Sequence, residues 1–326
     1  MDIDSFNFIF LWSFCGCCTL VYSYLYFIFF YRPLMNFSRF HRDIILFSCV
    51  FSFFFCAACG LVDKLLGFWV FLELCGLSLI PRFFYSGGTG LYGFYSSLLT
   101  YIIMSGLSSV FLVSGIMFSS LYMFIFLGFS IKFGLFPFLF WVYRVFSESN
   151  WVFIFLFSVL MKFPVLFFCF LYNDLRVRLV YIDCGLTILV CSVFLWLLSF
   201  GWEFIWCHIS LSSVSTLVVC CFCADSLVCY FIYGYYFFWG VSCILFFVNL
   251  GVEEDYSKYF WLYCFLLLIT PISMPLFYKL GVSYGLIYSA FYLLFVWVIY
   301  RFSEQYFLYK CGSNYFYSGV YKEWTK

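Results

Sequence analysis

Four charged side chains stand where an apolar sequence has least room for them: Glu73, Lys132, Lys162 and Lys279 each lie inside a long hydrophobic run. A charge at the centre of a membrane helix costs about 2.5–3.5 kcal/mol on insertion scales, so such residues face a bundle interior or a wet cavity and mark ion or proton paths. Lys132 lies in Gly128-Phe129-Ser130-Ile131-Lys132-Phe133-Gly134-Leu135-Phe136-Pro137. Pro137 lacks a backbone N–H and clashes with the carbonyl four residues earlier, which predicts a helix that breaks or bends just past the lysine. Gly128 and Gly134 leave room for a close neighbour or water. Lys162 precedes Pro164, and Lys279 follows Pro271 and Pro275, so four of the six prolines stand beside a membrane lysine. Buried charge next to a broken helix is how transporters build ion sites at mid-membrane. Each residue also has a plainer reading. Glu73 could be half of a structural ion pair, Lys132 a snorkelling lysine and Lys279 an interfacial one. His208, in Trp206-Cys207-His208-Ile209-Ser210 and followed by Ser212, Ser213, Ser215 and Thr216, is either a proton relay member or a histidine merely hydrogen-bonded in place. Histidine titrates near neutrality, which suits the first role.

The elements that must position these groups are membrane helices. The chain is 67% hydrophobic and 10% charged, with a mean hydropathy of +1.08. A soluble domain has roughly 45–50% apolar and roughly 25% charged residues, so this chain has too little charge to coat a water-facing surface. About 20 apolar residues cross the hydrocarbon core as a helix. On that rule the spans fall at about 8–31, 44–62, 65–84, 91–117, 119–143, 151–172, 179–200, 204–223, 227–250, 259–279 and 281–301, an all-α polytopic protein of about eleven transmembrane helices. Polar clusters separate most of them; the break near Phe118 carries no charge. Residues 302–326 mix Tyr and Phe with Lys, Arg and Glu and read as an interfacial tail. With eleven spans, Arg32, Arg39, Arg42, Arg82, Arg144 and Lys258 share one side with the tail, and only Lys64, Arg176 and Arg178 face the other, which puts the first side in the matrix or cytoplasm.

Other function classes find little support. A net charge of +1 gives no reason to expect nucleic acid. The 18 cysteines lie mostly in apolar runs (Cys15, Cys17 and Cys18; Cys56 and Cys59; Cys220, Cys221 and Cys223), where they act as small hydrophobes. With only His41 and His208 as imidazoles, no metal site is expected. Ser86-Gly87-Gly88-Thr89-Gly90 lacks the Lys-Ser/Thr that would make it a phosphate cradle. The excess of 53 Phe and 29 Tyr suggests a T-rich coding strand, as in organelle genomes. The acidic, apolar opening Met1-Asp2-Ile3-Asp4 is unlike a signal or transit peptide.

Several of these stretches resemble one family. Trp69-Val70-Phe71-Leu72-Glu73-Leu74 with Leu77-Ser78-Leu79-Ile80-Pro81 looks like the glutamate-bearing helix of the subunit 2 family of mitochondrial NADH–ubiquinone oxidoreductase, respiratory complex I. Lys132 to Val142 is similar to that family's Lys-x-Gly-x-x-Pro-Phe-His-Phe-Trp-Val signature. Met161-Lys162-Phe163-Pro164 and the stretch Pro271 to Lys279 resemble its next two lysine segments. The resemblance implies an antiporter-like fold of two inverted five-helix repeats with discontinuous helices, over 44–173 and 174–301. A further helix and loop would occupy 1–43. It also implies proton translocation across the mitochondrial inner membrane through Glu73, Lys132, Lys162 and Lys279, driven by electron transfer from NADH to quinone elsewhere in the complex. No cofactor is expected on this chain, since NADH, FMN, iron–sulfur clusters and ubiquinone belong to other subunits. The expected partners are the other membrane-arm subunits and lipids. The sequence departs from the family pattern at Leu139, where a histidine is usual, and at His208, where a tyrosine is common. Glu203 and Phe204 stand where basic residues are usual. Another antiporter-like complex I subunit, a free-standing cation/proton antiporter and a non-pumping membrane scaffold are the alternatives.

Overall fold

A computed structural model describes residues 42–83, 91–118, 123–171, 177–199, 201–251 and 259–316. The span expected at 8–31, the cysteines within it, His41, the Gly87/Gly88 turn and the last ten residues of the tail lie outside the described residues. In chain order the helices are α1 (Arg42–Cys59), α2 (Leu65–Phe83), α3 (Leu91–Met117), α4 (Met123–Phe133), α5 (Phe140–Ser147), α6 (Trp151–Ser158), α7 (Phe163–Leu171), α8 (Val177–Leu198), α9 (Trp202–Cys223), α10 (Ser226–Leu250), α11 (Phe260–Leu267), α12 (Met274–Ile287) and α13 (Phe291–Phe316). A single 3-10 turn, Leu160–Lys162, joins α6 to α7. No strand occurs among the described residues.

Among the described residues six stretches are long and apolar enough to cross a membrane, counting α6 and α7 together as Trp151–Cys169, and the chain is a multi-pass membrane protein. They differ in what surrounds them. Of the apolar window of α9, 94% is buried inside the protein; of α3, only 22%. Helix α9 therefore forms the centre, packed against α5, α6, α7, α8, α10 and α12. Helix α3 presents Leu99, Ile102, Ile103 and Val110 outward, an apolar face suited to lipid or to another membrane chain.

The uncharged break near Phe118 is real: α3 ends at Met117 and α4 begins at Met123. Three expected spans are interrupted. The first divides into α4 and α5, the second at the turn before α7, and the third at Leu268–Ser273 between α11 and α12. Two boundaries differ from the hydropathy reading. Helix α12 runs through Leu280 to Ile287, because nothing between Tyr278 and Ile287 breaks a helix, and the turn falls at 288–290 instead. Helix α13 then continues past residue 301, where the last expected span ends, to Phe316, so 302–316 is helix. Its charges disguised it; Glu304 and Leu308 are buried against the bundle. Arg82, expected in a loop, is also buried, where the last turn of α2 packs on α6 through Phe83 and Phe153, ring centres 4.1 Å apart.

Candidate functional site

Lys132 is the penultimate residue of α4, and that helix ends in a defined motif. Gly134 N–H bonds Ile131 O at 3.3 Å, and Leu135 N–H bonds Ser130 O at 2.9 Å. This Schellman pairing needs a left-handed residue after the helix, supplied by Gly134 at φ +69°. A Cβ there would also collide with the Val142 side chain. The Trp141 indole also donates to Ile131 O at 3.0 Å, giving that terminal carbonyl a second partner that lipid could not supply. The helix thus stops before Pro137 is reached. The carbonyl end of a helix favours a cation, and Lys132 Nζ completes the site by pairing with Glu73 Oε1 of α2 at 2.5 Å. Gly76, a turn along α2, leaves space for this ammonium and for Tyr101, whose hydroxyl donates to Gly76 O at 2.9 Å. Glu73 keeps 20% of its side chain exposed and lies along α2 in line with the outward-facing Leu66, Val70 and Leu77. It is reachable from outside the chain.

Lys162 sits on the 3-10 turn. Pro164 has no N–H to continue the ladder, and the Leu160 carbonyl accepts both from Phe163 N–H and from the Cys56 thiol of α1, the latter at 3.3 Å. Ser158 O and Val159 O accept from Tyr236 and Tyr233 of α10 at 3.4 and 3.3 Å. With its carbonyls capped from two sides, the turn holds Lys162 inward. The ammonium donates to Ser210 O at 2.9 Å, to Tyr236 Oη at 2.6 Å and to Ser213 Oγ. All three of its donors are used, and no carboxylate is among these acceptors.

Lys279 follows the third break. Trp239 caps Leu266 O at 2.7 Å. Gln305 of α13 accepts from Ile269 N–H at 2.8 Å and donates to Leu267 O at 3.4 Å. Ser273 begins α12, with Pro275 in its first turn, where a missing N–H costs nothing. Lys279 Nζ pairs with Glu304 Oε1 at 3.1 Å, and Glu304 is only 3% exposed. Beside this pair is a cavity of about 10 Å³ lined by Lys279, Glu304, Arg301, Tyr300, Ser212 and Ser213 among others. That is close to the room one water needs, and the lining supplies the polar partners to hold it. Ser213 therefore touches both lysines' surroundings: it accepts from Lys162 and it lines the cavity of Lys279.

The four residues singled out in the sequence are thus all inward-facing or ion-paired. Glu73 and Lys132 form one pair, and Lys162 and Lys279 are joined through Ser213 and the cavity. Lys132 and Lys279 are both buried, so neither ammonium reaches out to the protein surface. His208 is fully buried on α9, but its Nδ1 meets Tyr143 Oη at 2.8 Å and its Nε2 has no partner. The sequence reading missed Glu304 and Gln305, which lay beyond the last expected span. The signal was present: Glu304 follows the apolar run 291–300 by four residues, on the face of Tyr300.

The sequence matches no protein-family model and no curated protein. Its fold, however, is that of chains in large membrane assemblies. A chain of respiratory complex I from Thermus thermophilus with bound aureothin superposes with a TM-score of 0.67 at 14% identity, over 83% of this chain and 70% of that one. A chain of the Mrp complex from Dietzia sp. DQ12-45-1b gives 0.71 at 14% identity, over 86% and 61%. A chain of the membrane-bound sulfane sulfur reductase, an archaeal respiratory membrane complex, gives 0.65 at 12% identity, over 86% and 68%. The present chain thus spans between 61% and 70% of the length of these neighbours.

Proposed function

We propose that this chain is a proton-translocating, antiporter-like membrane-arm subunit of a respiratory complex I, of the subunit 2 type, in the mitochondrial inner membrane. Protons cross by way of Glu73, Lys132, Lys162 and Lys279, driven by NADH-to-quinone electron transfer in other subunits, and this chain carries no redox chemistry. The observation that carries the reading is that three lysines are buried within the bundle, each beside a helix interruption that the surrounding side chains cap. Buried, hydrogen-bonded ammonium groups whose partners can be rearranged are able to take up and release protons. Glu73, paired with Lys132 yet partly exposed, is the group a neighbouring subunit can reach.

The test is Lys132→Ala or Glu73→Ala in the assembled complex. Either is expected to abolish proton pumping coupled to NADH oxidation, and full pumping by an assembled mutant rejects the reading. A second reading, outside any redox assembly, is favoured by the TM-score of 0.71 to the Mrp-complex chain. Co-purification with a flavin- and iron–sulfur-containing assembly supports the first; isolation without one supports the second.

A further inference from the structure

Charge counting around the cavity beside Lys279 reveals a group that the translocation reading does not use. Lys279 of α12 and both Arg301 and Glu304 of α13 line that cavity. Arg301 and Glu304 are three residues apart on one helix, a spacing that makes side chains neighbours. One carboxylate therefore has two cations within reach. It contacts Lys279, at 3.1 Å, while the Arg301 guanidinium lies 4.5 Å from the centre of the Trp297 ring. A guanidinium does not lose its proton in a protein. The three groups thus carry +1 when Lys279 is an ammonium and zero when it is an amine. A lone buried Lys–Glu pair that gave up its proton would strand an uncompensated carboxylate, a strongly unfavourable state; here Arg301 prevents it. The other groups facing Lys279 are neutral: Tyr278, Tyr300, Trp239 and the hydroxyls of Ser212, Ser213 and Thr216.

We propose that Glu304 is a carboxylate switch for Lys279, paired with the ammonium before release and with Arg301 after it. When the Nζ–H bond breaks, the proton leaves on a cavity water and Glu304 turns to the guanidinium. When Lys279 is reprotonated, Glu304 returns. Glu304 and Arg301 are therefore positioning residues that set when the last lysine lets go. The proposal rests on the translocation reading for its purpose, but its chemistry is tested without pumping.

The test is infrared difference spectroscopy on the complex in lipid vesicles, recorded across the titration of Lys279, with pumping followed in parallel. The expected result is a shift of ionised-carboxylate bands with no protonated-acid carbonyl band, and its disappearance in Glu304→Gln. Arg301→Gln removes a like charge from Lys279 and the second partner from Glu304. It should move the lysine's titration, and the alkaline limb of pumping, up by about one pH unit or more, and Arg301→Lys should restore both. Unchanged titration in Arg301→Gln overturns the switch, as do carboxylate bands that persist in Glu304→Gln. Infrared behaviour as expected in a chain that pumps nothing would leave the switch standing and remove only the translocation reading.

Discussion

The two links between the three lysines are built from different materials. Between Lys162 and Lys279 runs the hydroxyl-bearing face of α9, where Ser213 accepts from one lysine and lines the cavity of the other. Those hydroxyls bond back to carbonyls three residues earlier, as Ser210, Ser212, Ser213 and Thr216 all do, so each is satisfied within its own helix and can still turn to a water. Between Lys132 and Lys162 the contact is sulfur on sulfur: Cys75 of α2 meets Met161 at 3.3 Å, beside Lys162 in sequence and one residue from the Gly76 that borders Lys132. Thioether and thiol are weak hydrogen-bonding groups. On the proposed path a proton would be handed along the first link with small rotations, whereas the second would have to open. If protons follow the proposed path, the seam at Cys75 and Met161 is where conformational change would control passage.

The comparison is broken most directly on the wet side. Ser213→Val replaces the bridging hydroxyl with methyls and leaves a buried ammonium short of an acceptor, a loss of about 1–3 kcal/mol. Pumping by energised vesicles is expected to fall roughly 10- to 100-fold, while Ser213→Thr keeps most of it. Equal rates for Val and wild type would mean that the hydroxyl is no part of the path. On the dry side, Cys75→Ser is nearly isosteric, and its hydroxyl can donate to Ser52 O, which the thiol reaches at 3.5 Å. Its effect on stability should stay below about 1 kcal/mol. The expected change is a faster decay of a pH gradient in vesicles with no electron donor, smaller than the Ser213→Val effect, because a polar group now sits in the seam. If the leak stays at the wild-type rate, the seam is not the closed point.

Much of this was written in the sequence, and the reasons for what was not are local. The four charges announced themselves because lipid makes each one conspicuous, and the prolines beside three of them announced the breaks. How the breaks are made was not legible. Pro137 announced an end just past Lys132, and α4 does stop at Phe133, but the stop is made by Gly134 and the Trp141 indole, a pairing across ten residues that no local pattern reports. Glu304 was lost for the opposite reason. Its surroundings from Arg301 to Lys310 are polar enough to read as the end of the membrane region, and only the packing of α13 on α8, with Trp196 donating to Ser303 at 2.8 Å, shows the segment to be part of the bundle. Hydropathy averages over a helix; a charge satisfied by one partner on another helix escapes it.

His208 gives the smallest expected effect and the sharpest test of whether α9 carries protons along its hydroxyls alone. Its one side-chain hydrogen bond goes to Tyr143 of α5 and not to a lysine, and its second nitrogen is unpartnered although the residue is fully buried. A relay member needs a partner on each side, one to receive from and one to give to. Tyr143 supplies one, with Cys191 beyond it at 3.8 Å, a thiol that would pass nothing on. Read this way, the histidine packs the junction of α5 and α9. His208→Phe removes an unsatisfied nitrogen together with one hydrogen bond, two changes of opposite sign, so the stability change is expected to be within about 1 kcal/mol. Pumping should stay within about twofold of wild type, with the same dependence on pH. A tenfold loss, or an acid limb displaced from the wild-type position, would place the imidazole in the path and give the wet link a second branch through Tyr143.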